Sequence, residues 1–115
     1  MVDWEFITNV RNRTLGYFKT QKNEWTVQQV KDHMKDHKIK AYHPYGFVAI
    51  KNNDVSICVL PEFQNKGIGQ RIMLDFVSGV KEPLFATIDL RNTNSFAFFK
   101  SVSESLQARN KRMDQ

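Results

Sequence analysis

The segment from Val59 to Gly69 constrains this chain more than any other part of it. It joins an apolar stretch to an amphipathic one through a turn in which Gly67 and Gly69 add no side-chain bulk. Successive main-chain N–H groups in such a turn can approach an anion, and a helix N-terminus adds the positive end of its dipole. Lys66 brings a mobile positive charge to the same turn. The segment therefore predicts a strand, an anion-binding turn and a helix that together meet a phosphate-bearing ligand.

Two better-known glycine motifs do not fit this segment. A dinucleotide-binding fingerprint requires a third small residue where Ile72 stands. A Walker A loop requires Gly-Lys followed by Ser or Thr, whereas this chain has Gly69-Gln70-Arg71. An ordinary strand-to-helix turn with two glycines is the alternative that the sequence leaves open.

Hydrophobic spacing and turn residues divide the chain into helices and short strands. Thr26 and Gln29 have the spacing of a capping box, and Asn52-Asn53 is a tight-turn pair. The predicted elements, in order, are helices over residues 3–18 and 27–37, strands over 38–42, 46–51 and 54–60, a helix over 68–79, a strand over 84–90, a helix over 92–103 and a candidate last strand over 105–108. Because a helix connects them, the strands that contain Val59 and Ile88 are expected to be parallel. The predicted fold class is α+β with a mixed, mostly antiparallel sheet.

The turn segment resembles motif A of the GCN5-related N-acetyltransferases (the GNAT superfamily), V-x-P-x-x-[RQ]-x-x-G-x-[GA]. Every fixed position of that motif is occupied, by Val59, Pro61, Gln64, Gly67 and Gly69. The order of the predicted elements is also similar to the GNAT core, roughly over residues 38–103. The resemblance implies a GNAT-like three-layer α/β/α sandwich.

A second GNAT signature, N-x-x-[SA]-x-x-x-[YF]-x-x-x-G-F, is matched only in part. Asn92, Ser95 and Phe99 occupy its first three fixed positions, but Ser103 and Glu104 stand where Gly-Phe is usual. Few residues then remain where the superfamily places two further strands, so we expect a shortened sheet edge on the acceptor side. Two consequences stay open: a homodimer supplies the missing wall, or a bulky acceptor approaches from an open side.

The resemblance implies that acetyl-coenzyme A (acetyl-CoA) is the acyl donor and that the acetyl group passes directly to a primary amine. The implied cofactor-binding residues are Val59, Leu60, Gln64, Asn65, Lys66, Gly67, Ile68, Gly69, Asn92, Ser95 and Phe99. In this set the turn amides hold the diphosphate, and the amide of Leu60 or Val59 polarises the thioester carbonyl. Asn92 contacts the cofactor arm and also suits a helix cap, and the two roles are compatible.

A general base must take a proton from the acceptor ammonium. The candidates are Asp89, Glu62 and His43. Each also suits a structural role: an acid paired inside an apolar strand, a solvated turn acid and a loop residue. Phe99 stands where many members carry a tyrosine that protonates the departing thiolate. The proton is then expected from water or from Tyr42 or Tyr45, unless the thiol's own modest basicity makes a donor unnecessary.

The formal charge of +5 and the pI near 9.5 favour an anionic partner, although much of the excess lies in a basic tail over residues 107–115. No recognised nucleic-acid-binding signature accompanies the charge, and no apolar run reaches the length of a membrane span. We therefore expect neither nucleic acid nor membrane as a partner. The lone Cys58 is expected to be a core residue in a cytoplasmic protein. His33 and His37 are expected on a solvated helix face, not at a metal site.

The predicted organisation is a single domain over residues 1–115. Two functions stay open. One is an N-acetyltransferase with an unidentified amine acceptor. The other is a degenerate GNAT fold that binds coenzyme A or a protein partner and has no turnover.

Overall fold

A three-stranded antiparallel sheet lies at the centre of the computed structural model, which describes residues 1–15, 21–86 and 97–105. The strands are β1 (Lys38–Tyr42), β2 (Gly46–Lys51) and β3 (Asp54–Val59), in the spatial order β1-β2-β3. Asn52 and Asn53 connect β2 to β3 with φ values of 52° and 66°. Asparagine tolerates this left-handed region better than most residues, so the predicted hairpin turn is confirmed.

Helices cover both faces of this sheet. Alternate strand residues point to opposite faces, and each face has apolar side chains that the helices bury. On one face, Phe47 and Cys58 pack with helices α1 (Trp4–Asn12) and α2 (Val27–His33). On the other face, Val48 and Val55 pack with helix α3 (Ile68–Ser78) and with Val102 of the helical residues 97–105. The α+β class and the antiparallel strand pairs are confirmed.

The first helix is shorter than predicted. Asp3 caps α1 by accepting a hydrogen bond from the Phe6 amide at 3.1 Å, and the helix ends at Asn12. Just beyond that end, the Thr14 hydroxyl donates to the Val10 carbonyl at 2.8 Å. A threonine side chain that bonds to the backbone in this way competes with the helical pattern. Residues 16–18 of the predicted helix lie outside the described residues.

The second helix begins as predicted and ends early. The Thr26 side chain accepts from the Gln29 amide at 3.2 Å, and the Gln29 side chain accepts from the Thr26 amide at 2.8 Å, so the capping box is confirmed. The helix ends at His33 rather than near His37, because the chain turns at the buried Met34 to enter β1.

The crossover after β3 follows the prediction as far as it is described. Helix α3 runs from Ile68 to Ser78, with Gly79 at its C-terminal cap. Phe85 then forms a parallel bridge with Asp54, as a crossover through a helix requires. Residues 87–90 of the predicted strand lie outside the described residues, as do residues 106–108 of the candidate last strand, whose first residue, Ser105, is helical. No helix in the part of the chain that the structure describes combines the length and apolar character needed to cross a membrane.

Candidate functional site

The turn after β3 is a short 3-10 helix (Pro61–Phe63) followed by two residues with left-handed backbone. Asn65 has a φ of 61° and Gly67 a φ of 78°. Left-handed residues are typical of anion-binding nests, in which successive N–H groups form one concave surface. Residues 65–67 are exposed, so solvent reaches this turn.

Helix α3 starts without a side-chain cap. Gly67 is its N-cap and has no side chain to offer, and the first helical hydrogen bond runs from the Arg71 amide to the Gly67 carbonyl at 3.2 Å. The amides of Ile68, Gly69 and Gln70 precede that bond and therefore have no acceptor inside the helix. Together with the helix dipole, these three donors can hold a phosphate group.

The two glycines of the turn serve different purposes. A Cβ atom on Gly67 would have open space around it, so glycine is needed there for its positive φ. A Cβ atom on Gly69 would lie 3.3 Å from Cε2 of Phe98 and 3.7 Å from Cγ2 of Val59. Gly69 therefore lets the helical residues 97–105 pack closely against the start of α3. Local sequence patterns do not predict this contact with Phe98, because it joins residues far apart in the chain.

At the end of β3, the main-chain groups of Leu60 and Val59 point toward opposite edges of the strand. The Leu60 amide donates to the Tyr45 carbonyl at 2.8 Å, so it is used in pairing with the start of β2. Gly46 and Val59 are register partners, and alternation along the ladder turns the main-chain groups of Val59 toward the other edge of β3. The carbonyl of Val59 accepts from Nε2 of Gln64 at 2.8 Å on that edge. Of the two amides predicted to meet a thioester, only that of Val59 faces away from the paired edge.

Tyr42 is tied to a carboxylate on α3. Its hydroxyl donates to Oδ2 of Asp75 at 2.8 Å, and Nζ of Lys40 lies 3.5 Å from the same oxygen. Burial, followed by the hydrogen bond to Asp75, raises the pKa of Tyr42 far above its usual value. The hydrogen bond from Tyr42 and the charge of Lys40 lower the pKa of Asp75. This pairing holds the phenolic proton on Tyr42.

His43 lies against the start of α1. Its Nε2 atom is 3.1 Å from Oδ2 of Asp3, and its ring packs on the Phe6 ring with centroids 4.1 Å apart. The hydrogen bonds from the Phe6 amide and from His43 lower the pKa of Asp3. Its carboxylate is therefore ionised and accepts a hydrogen bond from His43. In neutral His43 this fixes the proton on Nε2 and leaves Nδ1 as the basic nitrogen.

Glu62 and Tyr45 lie near the same end of β3. Arg13 at the end of α1 donates to both carboxylate oxygens of Glu62, at 2.7 and 2.8 Å. This contact lowers the pKa of Glu62, which is the opposite of what a general base near neutral pH requires. Tyr45 packs edge-on against Phe63 with ring centroids 5.0 Å apart.

The remaining predicted site residues divide into two groups. Phe99 is half-buried on the face of the sheet that α3 covers, with its ring edge-on to Phe98 and the ring centroids 5.1 Å apart. Asp89, Asn92 and Ser95 lie outside the described residues, so their roles stay predictions. Cys58 is buried, with Sγ 2.9 Å from the Thr14 hydroxyl, and burial raises its pKa to about 11.

Comparisons of this chain with protein families, with curated proteins and with solved structures found no match. The residues and geometry of the turn and of β3 are therefore the basis for assigning a function.

Proposed function

We propose that this chain is an N-acetyltransferase with a GNAT-like sandwich fold, which transfers the acetyl group of acetyl-CoA directly to a primary amine. One observation carries the proposal. Helix α3 begins at the left-handed Gly67 without a side-chain cap, and the turn before it leads from a strand end at which the main chain of Val59 faces away from β2. This is the arrangement that a ligand with a diphosphate and a long amide-containing arm requires.

The diphosphate is placed at the start of α3. The amides of Ile68, Gly69 and Gln70 donate to its oxygens, and the exposed Lys66 adds a positive charge from the turn. The pantetheine arm then leaves the turn and runs back along β3. The Val59 amide donates to that arm, because it lies on the edge of β3 that β2 does not use.

The acetyl group passes directly from the thioester sulfur to the amine nitrogen, without a covalent enzyme intermediate. The free amine nitrogen attacks the thioester carbonyl carbon, the C–N bond forms and the C–S bond breaks. A main-chain N–H on the outer edge of β3 stabilises the oxyanion that develops on the carbonyl. One proton leaves the ammonium before attack, and the second passes from nitrogen to the departing thiolate.

The second candidate function is a coenzyme A-binding module without turnover. It is favoured because two aromatic residues near the site are poor proton donors to the thiolate. Phe99 has no hydroxyl, and the proton of Tyr42 is held by Asp75. In this case cofactor binding at the turn is retained and acetyl transfer is absent.

Two measurements on the purified chain separate these functions. Calorimetric titration with acetyl-CoA tests binding, and release of free thiol with a panel of primary amines tests turnover. Binding together with amine-dependent thiol release supports the enzyme. Binding without release supports the module, and no binding overturns both.

The glycines at the two ends of α3 offer a matched pair of variants. Gly67→Ala forces a Cβ onto a residue with φ 78°, which distorts the anion-binding turn. Gly79→Ala is the control, because its φ is −94° and the added Cβ would make ordinary contact with the Phe76 carbonyl at 3.7 Å. We expect the first variant to weaken acetyl-CoA binding and the second to leave it unchanged.

A further inference from the structure

Strand β1 forms an open edge of the sheet. In the spatial order β1-β2-β3 it has a neighbour on one side, and no residue in the part of the chain that the structure describes pairs with its other side. The outer edge of β3 differs, since the Val55 amide donates there to the Phe85 carbonyl at 2.8 Å. The outer edge of β1 is therefore accessible to a further strand.

The strand register shows which main-chain groups β1 leaves unused. The Leu60 amide donates to the Tyr45 carbonyl, so the main-chain groups of Tyr45 face β3 and those of Gly46 face β1. β1 and β2 pair in continuous register, so this alternation extends along both strands. The N–H and C=O groups of Ile39 and Ala41 consequently point away from the sheet, and no described residue bonds to them.

One face of this edge carries positive charge. Lys38 and Lys40 are exposed and lie two residues apart in β1, so both side chains project from the same face of the sheet. Nζ of Lys40 lies 3.5 Å from Oδ2 of Asp75, and both side chains of that pair are exposed. No carboxylate among the described residues forms an ion pair with Lys38. The positive charge along β1 is therefore only partly matched.

The other face of the same edge is apolar. Ile39 and Ala41 are half-buried and pack against the core cluster beneath α1 and α2. A strand added beside β1 would place every second side chain next to these two residues. Its apolar side chains would extend the existing core face, and the side chains between them would lie beside the lysines.

The charges distinguish between candidate strands. Lysines on an edge strand normally keep other strands from pairing with it. Two copies of β1 paired antiparallel about Ile39 or Lys40 would place lysine opposite lysine, which is destabilising. A strand with carboxylates at alternate positions would instead form opposite-charge pairs with Lys38 and Lys40. The charge pattern therefore favours an acidic strand over a second copy of this chain.

We propose that the open edge of β1 binds an extended acidic segment of another protein, which adds a strand to the sheet. The main chain of the segment bonds to Ile39 and Ala41, and its carboxylates lie beside Lys38 and Lys40. Small apolar residues alternate with the carboxylates and pack next to Ile39 and Ala41. The inference does not depend on acetyl transfer, because the proposed cofactor lies at the opposite edge of the sheet.

A blocked peptide with the sequence Glu-Val-Glu-Val-Glu is the probe. Lys-Val-Lys-Val-Lys reverses its charge, and Glu-Glu-Glu-Val-Val keeps its composition without the alternation. Each peptide is titrated into the isotope-labelled chain, and the exchange of backbone amides with solvent is recorded. We expect the alternating acidic peptide to bind about fivefold more tightly than either control. It should slow exchange at the amides of Ile39 and Ala41, whereas the Lys40 amide is protected with or without peptide.

Charge reversal at Lys38 tests the side-chain contact. Lys38→Glu is preferred to a change at Lys40, because it breaks no ion pair among the described residues. We expect it to weaken binding of the alternating acidic peptide about fivefold and to strengthen binding of the lysine peptide. Lys31→Glu is the control, because it makes the same change at an exposed position of α2. It should alter neither affinity.

Several results would overturn this proposal. Absence of binding by the alternating acidic peptide would do so, and equal binding of the two acidic peptides would show attraction by charge without strand pairing. Protection of the Ile39 and Ala41 amides in the free chain would show that the edge is already covered. Sedimentation would then identify a second copy by the presence of a dimer. None of these results bears on the binding of acetyl-CoA at the turn.

Discussion

Gln64 donates from its side-chain Nε2 to the main-chain carbonyl of Val59 at 2.8 Å, which fastens the turn onto the end of β3. The bond closes a loop around the 3-10 helix Pro61–Phe63. It therefore fixes the direction in which the amides at the start of α3 point relative to the strand.

Replacing this side chain tests its role in orienting the turn. Gln64→Ala removes the donor, and we expect a loss of about 1 kcal/mol in the free energy of unfolding together with weaker acetyl-CoA binding. Gln28→Ala is the control, because Gln28 makes only an exposed bond to Asp32 on α2. Urea denaturation and calorimetry measure the two effects. Unchanged cofactor affinity in Gln64→Ala would show that the bond does not orient the site.

Replacing Gly69 with alanine is expected to destabilise the protein because of the packing between Gly69 and Phe98. In Gly69→Ala the new Cβ lies 3.3 Å from the Phe98 ring, so the ring must move by a few tenths of an ångström, at a cost of about 1 kcal/mol. Phe98→Leu removes the ring edge that causes the conflict. In a double-mutant cycle the alanine should cost less in the Phe98→Leu background than in the natural chain. Strict additivity of the two changes contradicts this contact.

Cys58 is predicted to be unreactive while the protein is folded, because it is buried and its pKa is raised to about 11. A thiol reagent at pH 8 should modify the chain only after urea unfolds it. Rapid modification of the folded chain at a rate independent of urea would show that the thiol is accessible.

The same thiol gives a pH dependence whose sign follows from linkage. The unfolded thiol ionises near 9.0 and the folded one near 11, so its contribution to stability is complete below pH 9 and is lost as the pH rises through 11. The stability of the natural chain should therefore fall more steeply across this window than that of Cys58→Ala. Parallel curves for the two proteins contradict the raised pKa.

The contribution of Glu62 to stability depends on pH with the opposite sign. Arg13 holds the pKa of Glu62 below its usual 4.5, so the stabilising contribution is present above pH 4.5 and is lost as the pH falls through the lowered value. The difference in Tm between the natural chain and Glu62→Gln should be small at pH 7 and should vanish in strong acid. High salt should also reduce it, because the pair is exposed.

The sequence predicted those features that depend on neighbouring residues. The capping box of Thr26 and Gln29, the Asn52-Asn53 hairpin and the extent of α3 all depend on residues a few positions apart. The ends of α1 and α2 were missed because tertiary contacts decide them: Thr14 bonds back to Val10, and Met34 is buried in the core.

The pairings around the candidate site could not be read from local patterns. Tyr42 forms a hydrogen bond with Asp75, and His43 forms one with Asp3, although the partners are far apart in the sequence. Which carboxylate contacts which partner is set by how the helices pack on the sheet.

The most direct test of the central claim is a titration of acetyl-CoA into the isotope-labelled chain, with the shift of each backbone amide recorded. We expect the amides of Ile68, Gly69 and Gln70 to shift most among the described residues, and we expect Gly67→Ala to weaken binding while Gly79→Ala does not. Absence of binding, or binding that leaves these three amides unchanged, would contradict the assignment of the turn as a diphosphate site.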